Sequence, residues 1–341
     1  MLTIDKDEVH FLVTEHMVKE VEDLLANGWP KIDRVVEEMR ARKIDRVYYV
    51  GCGSCLGACQ TAEILFQRYS RIPCKAFGGS DFADQPPAQL DGRTAVVGIS
   101  HAGATEDVVQ AISIARAAGA MTVAVTQDLS RTPLAEAAEH IIDYNGECIW
   151  EMHLIVAYYL ACKFIVSVEA NQEIDTIVAD MRRLPKVLSA LLQTQEERSK
   201  GLALRASEWP FIYTVASGVL YPFAYKEGII TMMEFTWTHG CVLSAGEFRH
   251  GPFEVAEKGV PYVFLVGTDE SRPTVERALR FVETVTDDWI VFDCKALNAG
   301  LHPMLDPLIL FVPLEYFYYY LSLGKGHNPD DRRYYGGLVD Y

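Results

Sequence analysis

Short runs rich in β-branched and aromatic residues alternate with segments of helical apolar spacing along the first part of the chain. Residues 32–43 have helical spacing, residues 46–50 form a β-rich run, and residues 51–54 open a helical segment that extends to about residue 69. Further strand patterns, with helical patterns between them, follow at residues 73–77, 94–99 and 121–125. This alternation favours a parallel sheet with helices on both faces, because parallel strands need helical crossovers.

The second part of the chain repeats this plan. Strand patterns lie at residues 211–216, 262–267 and 289–293, and helical patterns lie at residues 222–238 and 273–284. A polar, helical stretch at residues 171–207, with Pro185 inside it, separates the two parts. A chain of 341 residues, half of them hydrophobic, is long enough for two domains that each bury a core. We therefore expect two α/β domains with a boundary near residue 178.

The last helical segment, residues 306–323, is densely apolar and aromatic. We expect a break or a kink at Pro313, because proline lacks the backbone donor and its ring clashes with the preceding turn. Aromatic runs at helical spacing are usually buried, so a core helix or a dimer contact is favoured over a stacking platform for a ligand.

The charge of the chain restricts its partners. A net charge of −16 at pH 7 argues against nucleic acid, because binding to a phosphate backbone draws on clustered lysine and arginine. A small phosphorylated substrate remains compatible, since backbone N–H groups and hydroxyls can hold phosphate. Residues 1–10 have no apolar core of signal-peptide length, which predicts a cytoplasmic protein. The apolar run at residues 154–162 is too short to span a membrane and predicts a buried helix.

Eight cysteines are scattered along the chain, and Cys52 and Cys55 have C-x-x-C spacing. A zinc site would need a second ligand pair, and a redox site would need a thioredoxin-like context; neither is indicated. We expect free thiols, no metal and no other cofactor. Cys52, Cys55 and Cys59 lie where a glycine-rich loop enters its helix, a position that can lower a thiol pKa.

Two loops of the first domain are candidates for binding an oxyanion. In an open parallel sheet, ligands lie outside the carboxyl ends of the strands, where helix N-termini point their N–H groups. In the first loop Gly53 allows close approach of the backbone, and Ser54 adds a hydroxyl donor. The second loop follows residue 99 and contributes Ser100, His101, Gly103 and Thr105. Each loop alone is a weak signal, because serine N-caps are common.

Glu234 and His250 frame the stretch with the strongest chemical signal, residues 232–254. A carboxylate can remove a proton α to a carbonyl, and imidazole can give or take a proton near neutral pH. By type alone, such residues are more often a solvated helix face and a loop histidine. The end of the stretch, residues 246–252, resembles the signature of the second sugar isomerase (SIS) domain of glucosamine 6-phosphate synthase. This resemblance implies that Glu234 moves a proton between C1 and C2 of an opened sugar phosphate and that His250 assists ring opening.

Nearly the whole chain is similar to the fructoselysine 6-phosphate deglycases and their close relatives, which act on sugar phosphates joined to amino acids. The similarity is carried by residues 4–6, 148–153, 225–228, 233–240, 327–330 and 332–337. It implies an α/β fold of two tandem SIS domains, each a flavodoxin-like, three-layer unit with a parallel sheet flanked by helices. The first would cover residues 1–178 with N-terminal helices, and the second residues 179–341 with a C-terminal tail. The loops at residues 51–54 and 100–106 resemble the two phosphate-holding loops of SIS domains.

Two departures from the synthases bear on the reaction. The synthases have a Ser-Gln-Ser triplet where this chain has Ser100-His101-Ala102, so one hydroxyl contact is absent and His101 is a candidate replacement donor. They also have a lysine three residues before the catalytic glutamate and another in the tail, where this chain has Thr231 and the Gly336-Gly337 region. The missing lysines, and the lack of an N-terminal glutaminase domain, argue against transfer of ammonia to fructose 6-phosphate.

The reaction implied by the deglycase resemblance starts from an Amadori compound, a 1-amino-1-deoxy-ketose 6-phosphate attached through nitrogen to an amino acid. His250 helps to open the ring, Glu234 removes a C1 proton, and protonation at C2 gives the imine of glucose 6-phosphate, which water hydrolyses. Glu227, seven residues before Glu234, is expected on the same helix face, where it would bind the substrate or have a structural role.

Four further residues are weaker candidates for the site. His239 and Glu247 are expected to be local loop or capping residues. Glu147 and Trp150 begin a helix near the expected sugar site, by resemblance, and are candidate substrate contacts.

Two other functions share these features. A plain aldose-ketose phosphosugar isomerase would use the same enolisation, and a catalytically silent sugar-phosphate-binding regulator would use the same fold. A regulator needs no base, so Glu234 and His250 disfavour it, and no helix-turn-helix pattern is found in the sequence. The attached amine stays open, with fructoselysine 6-phosphate favoured, and no membrane partner is indicated. SIS enzymes usually build their site between subunits, so we expect a homodimer or higher homo-oligomer, with His250 acting in its own subunit or in the neighbouring one.

Overall fold

The computed structural model describes residues 2–128, 131–335 and 338–339, and the chain divides into two compact units. The first unit is His16–Pro185, and the second combines Met1–Glu15 with Lys186–Tyr341. This division differs from the expected boundary near residue 178, and the N-terminal segment groups with the second unit. The backbone N–H of Leu2 donates to the carbonyl of Leu323 (2.8 Å), and the Tyr319 hydroxyl donates to the carbonyl of Ile4 (2.5 Å). These bonds tie the N-terminal segment to the last helix of the second unit.

The first unit is built on a five-stranded parallel sheet. Its strands are β1 (Arg46–Gly51), β2 (Cys74–Gly78), β3 (Thr94–Ile99), β4 (Met121–Thr126) and β5 (His140–Asp143). The strand order is β2-β1-β3-β4-β5, so the chain begins in the interior of the sheet and winds to both sides, as in flavodoxin-like folds. The four predicted strands are confirmed, whereas the edge strand β5 was not predicted.

Eight α-helices accompany this sheet among the described residues. They are α1 (Glu15–Asp23), α2 (Trp29–Ala41), α3 (Ser54–Tyr69), α4 (Gly79–Asp84), α5 (Glu106–Ala117), α6 (Pro133–Ala137), α7 (Ile149–Val168) and α8 (Gln172–Met181). Helix α7 is long and apolar enough to cross a membrane, but 83% of its apolar window is buried inside the protein. A helix that is apolar on all sides belongs in a core, so the buried helix predicted at residues 154–162 is confirmed.

The second unit is built on a four-stranded parallel sheet. Its strands are β6 (Phe211–Ala216), β7 (His239–Ser244), β8 (Tyr262–Val266) and β9 (Trp289–Asp293), in the order β7-β6-β8-β9. The α-helices from residue 184 onward are α9 (Leu184–Thr194), α10 (Glu196–Ala206), α11 (Leu220–Tyr225), α12 (Met232–Thr236), α13 (Arg272–Val282), α14 (Cys294–Leu297) and α15 (Asp306–Gly324). The repeated α/β plan is therefore confirmed, with β7 as an additional edge strand.

Helix α15 is the core helix of the second unit. Every residue from Asp306 to Leu323 is buried, and Phe317 packs edge-on against Phe292 with ring centroids 5.4 Å apart. The expected break at Pro313 is absent, because the helix continues through this residue. A proline inside a helix lowers stability by roughly 3 kcal/mol, and the complete burial of two aromatic side chains is enough to offset this loss.

Candidate active site

Glu234 lies near the end of a long helical run that changes its geometry on the way. Helix α11 passes into a π-helical turn at Lys226–Thr231 and then into α12, which carries Glu234. The run ends at Thr236 because Trp237 adopts a left-handed conformation with φ 49°. The helix predicted for residues 222–238 is thus confirmed except for its end, and the left-handed residue directs the chain into β7.

The π-helical turn separates Glu227 from Glu234. Its i→i+5 hydrogen bonding widens the helix. Two residues that are seven positions apart across this turn therefore do not have the relative orientation that they would have in a regular α-helix. Glu227 is completely buried and accepts a hydrogen bond from the Lys226 ammonium at 2.8 Å. Burial raises the pKa of Glu227, and Lys226 opposes this shift. This environment favours the structural role over the binding of substrate.

A cavity of about 420 Å³ opens beside Glu234. Residues of α12, the following turn and the C-terminal tail line it: Met233, Glu234, Trp237, Thr238, His239, Arg332, Arg333, Tyr334 and Tyr335. This volume is within the range of small-molecule sites. Sequence reasoning identified Glu234 and noted the unusual tail, but it did not place the two together.

The tail contacts the carboxylate of Glu234 directly. The Tyr335 hydroxyl donates to Glu234 Oε1 at 2.9 Å, and this hydrogen bond raises the pKa of the phenol. A neutral donor on one carboxylate oxygen fixes the rotamer and leaves the other oxygen for a substrate proton.

Aromatic contacts hold the tail on this side of the unit. The guanidinium of Arg333 lies 3.7 Å from the ring centroid of Trp237, and that of Arg332 lies 5.0 Å from the ring of Phe235. The ring of His327 is 4.0 Å from that of Trp237. The Gly336-Gly337 region, where the synthases have their tail lysine, lies outside the described residues.

His250 occupies a different environment. It is exposed in the turn after β7, where its backbone N–H donates to the carbonyl of Glu247 at 2.9 Å. His250 is not among the described residues that line the cavity beside Glu234. Glu247 has the expected loop role, whereas His239, expected in a loop, is the first residue of β7 and lines the cavity.

The two glycine and hydroxyl loops of the first unit occupy equivalent positions. One follows β1 and the other follows β3, and these strands are adjacent and parallel, so both loops lie at the carboxyl edge of the sheet. Gly53 precedes α3 with φ 56°, and Ser54 is the first residue of that helix. Gly53 thus has a backbone conformation that favours glycine.

The second loop is held more tightly. The buried Ser100 Oγ lies 2.8 Å from Thr105 Oγ1, at the N-terminus of α5. Gly103 has φ 62°, and a Cβ there would lie 2.6 Å from Cβ of Thr132. Helices α3 and α5 therefore point their first N–H groups, with nearby hydroxyls, toward the same edge of the sheet, an arrangement that suits an anion.

His101 is the end of a chain of polar side chains. Its Nδ1 lies 2.8 Å from the Tyr144 hydroxyl, which lies 2.8 Å from Nε2 of His153; Nδ1 of His153 lies 3.5 Å from the sulfur of Cys55. The Cys55 sulfur also accepts from the backbone N–H of His101. One direction satisfies every donor: S–H to Nδ1 of His153, Nε2–H to Tyr144, and O–H to Nδ1 of His101. In this arrangement Nδ1 of His101 accepts from the Tyr144 hydroxyl.

The thiols of the first loop are not activated. Burial raises the pKa of Cys55 to about 12 and also raises the pKa of Cys52 and Cys59. The expectation that the helix N-terminus lowers the pKa of these thiols is wrong, because the loss of hydration on burial outweighs the field of the helix. All eight cysteines are free, as predicted. Among the described residues, no group of three or more His, Cys, Asp or Glu side chains is arranged to hold a metal ion.

The start of α7 is a structural element. The backbone N–H groups of Glu147 and Cys148 donate to the carboxylate of Glu20, at 2.6 and 3.0 Å. Trp150 is buried at 1% exposure, which is a core position. A substrate contact by Trp150 is therefore not supported.

Comparison with known proteins fits this geometry. The SIS domain family matches residues 41–167, within the first unit. The fructoselysine 6-phosphate deglycase of Escherichia coli (strain K12) is 52% identical over 341 residues, which is 100% of both chains. The chain belongs to the fructoselysine 6-phosphate deglycase family. It is therefore an enzyme, and both of its α/β units are shared with those relatives.

More distant proteins extend the comparison. The fructosamine deglycase of Bacillus subtilis (strain 168) is 30% identical over 89% of this chain and 95% of its own. The crystal structure of a candidate phosphosugar isomerase of Bacillus subtilis has a TM-score of 0.86 at 28% identity and covers 94% of this chain and 100% of its own. The C-terminal domain of glucosamine-fructose-6-phosphate aminotransferase from Francisella tularensis has a TM-score of 0.81 at 17% identity, which shows the shared fold alone.

Proposed function

We propose that the protein converts fructoselysine 6-phosphate and water to glucose 6-phosphate and lysine. The observation that carries this proposal is the hydrogen bond between Tyr335 and Glu234, in a cavity lined by the tail that marks the deglycases. The Glu234 carboxylate, which enolisation requires, is thereby held next to the C-terminal tail. This tail is the part of the sequence that resembles the family most specifically. The family relationship supports the substrate class.

The chemistry requires one base and one acid-base group at oxygen. His250 is the acid-base group that acts at oxygen, and it assists opening of the ring to the C2 ketone. The Glu234 carboxylate then removes a proton from C1, which the ketone makes acidic, and the enaminol forms. Return of a proton to C2 gives the C1 imine; water adds to C1, and the amine leaves with the C–N electron pair and a proton. Each such acid-base group is typically worth about 10² to 10⁴ in rate.

The 6-phosphate is assigned to the loops of the first unit. Ser54, Ser100 and Thr105 supply hydroxyls, and the first N–H groups of α3 and α5 supply backbone donors. His101 is a further proposed contact to the phosphate, as the candidate replacement for the one hydroxyl that the synthases have in this loop and this chain lacks. Gly53 and Gly103 provide the positive-φ conformations that bring the backbone close to the anion.

We further propose a homodimer, in which the partner subunit's His250 serves the cavity of Glu234. The exposure of His250, away from the described lining of that cavity, supports this arrangement. Eight free thiols favour a reducing compartment, and we propose the cytoplasm.

The activity is tested with a panel of synthetic Amadori 6-phosphates, by enzymatic detection of glucose 6-phosphate. Wild-type protein should release glucose 6-phosphate and an equivalent of free amine, and Glu234→Gln and His250→Ala should each lower kcat by roughly 10²-fold or more. Interconversion of glucose 6-phosphate and fructose 6-phosphate, with no turnover of the panel, would instead identify an isomerase. Binding without turnover of either would identify a regulator.

Mixed dimers test the shared site. Glu234→Gln and His250→Ala chains are unfolded together and refolded, and activity is compared with each variant alone. If the partner supplies His250, half of the dimers contain one intact site, and about a quarter of wild-type activity returns. No recovery, with dimer formation verified, would place both residues in one subunit.

A further inference from the structure

We propose that the cavity beside Glu234 contains a carboxylate subsite, in which Arg333 binds the α-carboxylate of a lysine glycated on its ε-nitrogen. This inference rests on the proposed function and assigns the part of the substrate that lies beyond the reacting nitrogen.

Arg333 places a cationic side chain in the lining of this cavity. In the parts of the chain that the structure describes, no Asp or Glu lies within salt-bridge distance of it, although acidic residues outnumber basic ones by 47 to 31. Its guanidinium is stacked 3.7 Å from the Trp237 centroid. Stacking restrains the plane of the guanidinium while its N–H edges remain available, and a carboxylate is the ligand that this edge binds in a bidentate manner.

Arg332 has a different role. Its Nη1 donates to the carbonyls of Pro329 (2.5 Å) and Asp331 (3.1 Å), and its Cζ lies over Phe235. These bonds close the turn that precedes Arg333. The tail is also fixed by Asp330, whose carboxylate accepts from the backbone N–H of His10 at 2.8 Å. Arg332 is therefore a positioning residue for the tail, and Arg333 is the contact to the ligand.

The cavity that Glu234 and Arg333 line also has apolar side chains in its lining. Met233 and Trp237 line the cavity, and each is 39% exposed, so both present apolar surface to a ligand. A base, apolar lining and a cation in one cavity match a ligand with a reacting carbon, an aliphatic chain and a terminal carboxylate. An ε-glycated lysine has these three parts. An α-glycated amino acid has its carboxylate next to the reacting nitrogen, where the charge of Glu234 repels it.

The test compares two substrates and two variants. The substrates are fructoselysine 6-phosphate and its decarboxylated analogue, the Amadori 6-phosphate of 1,5-diaminopentane. The variants are Arg333→Gln and, as a matched control on the exposed surface of α13, Arg277→Gln. Arg333→Gln should lower kcat/KM for fructoselysine 6-phosphate by roughly 10- to 100-fold, mainly through KM, and should leave the analogue within about twofold. Arg277→Gln should change neither.

Two further readouts separate the subsite from a general role in folding. Arg333→Lys should recover part of the loss on fructoselysine 6-phosphate, because it retains the charge without the bidentate edge. An equal loss on both substrates, or no loss on either, would overturn the carboxylate subsite while the deglycase activity stands. Absence of turnover of both substrates by wild-type protein would overturn the proposed function itself.

Discussion

His153 should make the protein sensitive to acid, because it is a fully buried histidine that cannot be charged without loss of hydration. It is 0% exposed on α7, between Tyr144 and Cys55. Burial, and secondarily His101, lower the pKa of His153 to about 3 from 6.5. The unfolded chain therefore binds a proton that the folded chain excludes, and stability from this group decreases as pH falls below the unfolded pKa.

The size of the effect follows from the two pKa values. At pH 5 the unfolded side chain is almost fully protonated and the folded one is neutral, whereas at pH 7 both are mostly neutral. The free energy of unfolding should thus fall by about 2 kcal/mol between pH 7 and pH 5 through His153 alone. Asp306 and Glu315 have pKa values raised to about 7, and they act in the opposite direction over this range.

A variant isolates the histidine from these opposing groups. His153→Gln keeps a neutral polar group that can face Tyr144 and does not titrate. Urea unfolding of wild-type protein and His153→Gln, each at pH 5 and pH 7, gives a double difference in which the carboxyl groups cancel. We expect the wild-type protein to lose about 2 kcal/mol more than the variant on acidification. Parallel changes in the two proteins would refute a buried neutral His153.

Two substitutions test the assignments of phosphate and base. Ser100→Ala should weaken the binding of glucose 6-phosphate by about 1–3 kcal/mol in calorimetry, because a donor to a charged group is lost; unchanged affinity would move the phosphate elsewhere. Tyr335→Phe should lower kcat by roughly 10-fold with little change in KM, since the rotamer of Glu234 is no longer fixed. A kcat equal to that of wild-type protein would show that the hydroxyl has no part in positioning the carboxylate.

Apolar periodicity predicted the interior strands and the edge strands β2 and β9, but it missed the edge strands β5 and β7. The interior strand β3 is buried at every position, so its sequence is a continuous apolar run. The two edge strands that were missed, β5 and β7, begin with His140 and His239 and are only partly buried, and they lack such a run. Edge positions need fewer apolar residues, which weakens the signal used for prediction, although the partly buried edge strand β2 was still predicted.

Local geometry and burial account for the other differences. The π-helical turn before Glu234 and the left-handed Trp237 have no sequence signature, because an unfavourable conformation is imposed by tertiary packing. The effect on Cys55 was predicted with the wrong sign, since the degree of burial cannot be read from a loop sequence. Glu234 was identified by resemblance, whereas its contact with Tyr335 joins residues distant in sequence and required the fold.

The fate of the hydrogens at C1 tests the central claim, enolisation by Glu234. Fructoselysine 6-phosphate carrying two deuterons at C1 is converted in ordinary water, and the sugar phosphate is analysed by mass spectrometry. If Glu234 removes a C1 proton, the product is glucose 6-phosphate with a single deuteron at C1, and a primary isotope effect is seen when this step limits the rate. Recovery of fructose 6-phosphate with both deuterons would show direct cleavage of the C1–N bond and would contradict the account.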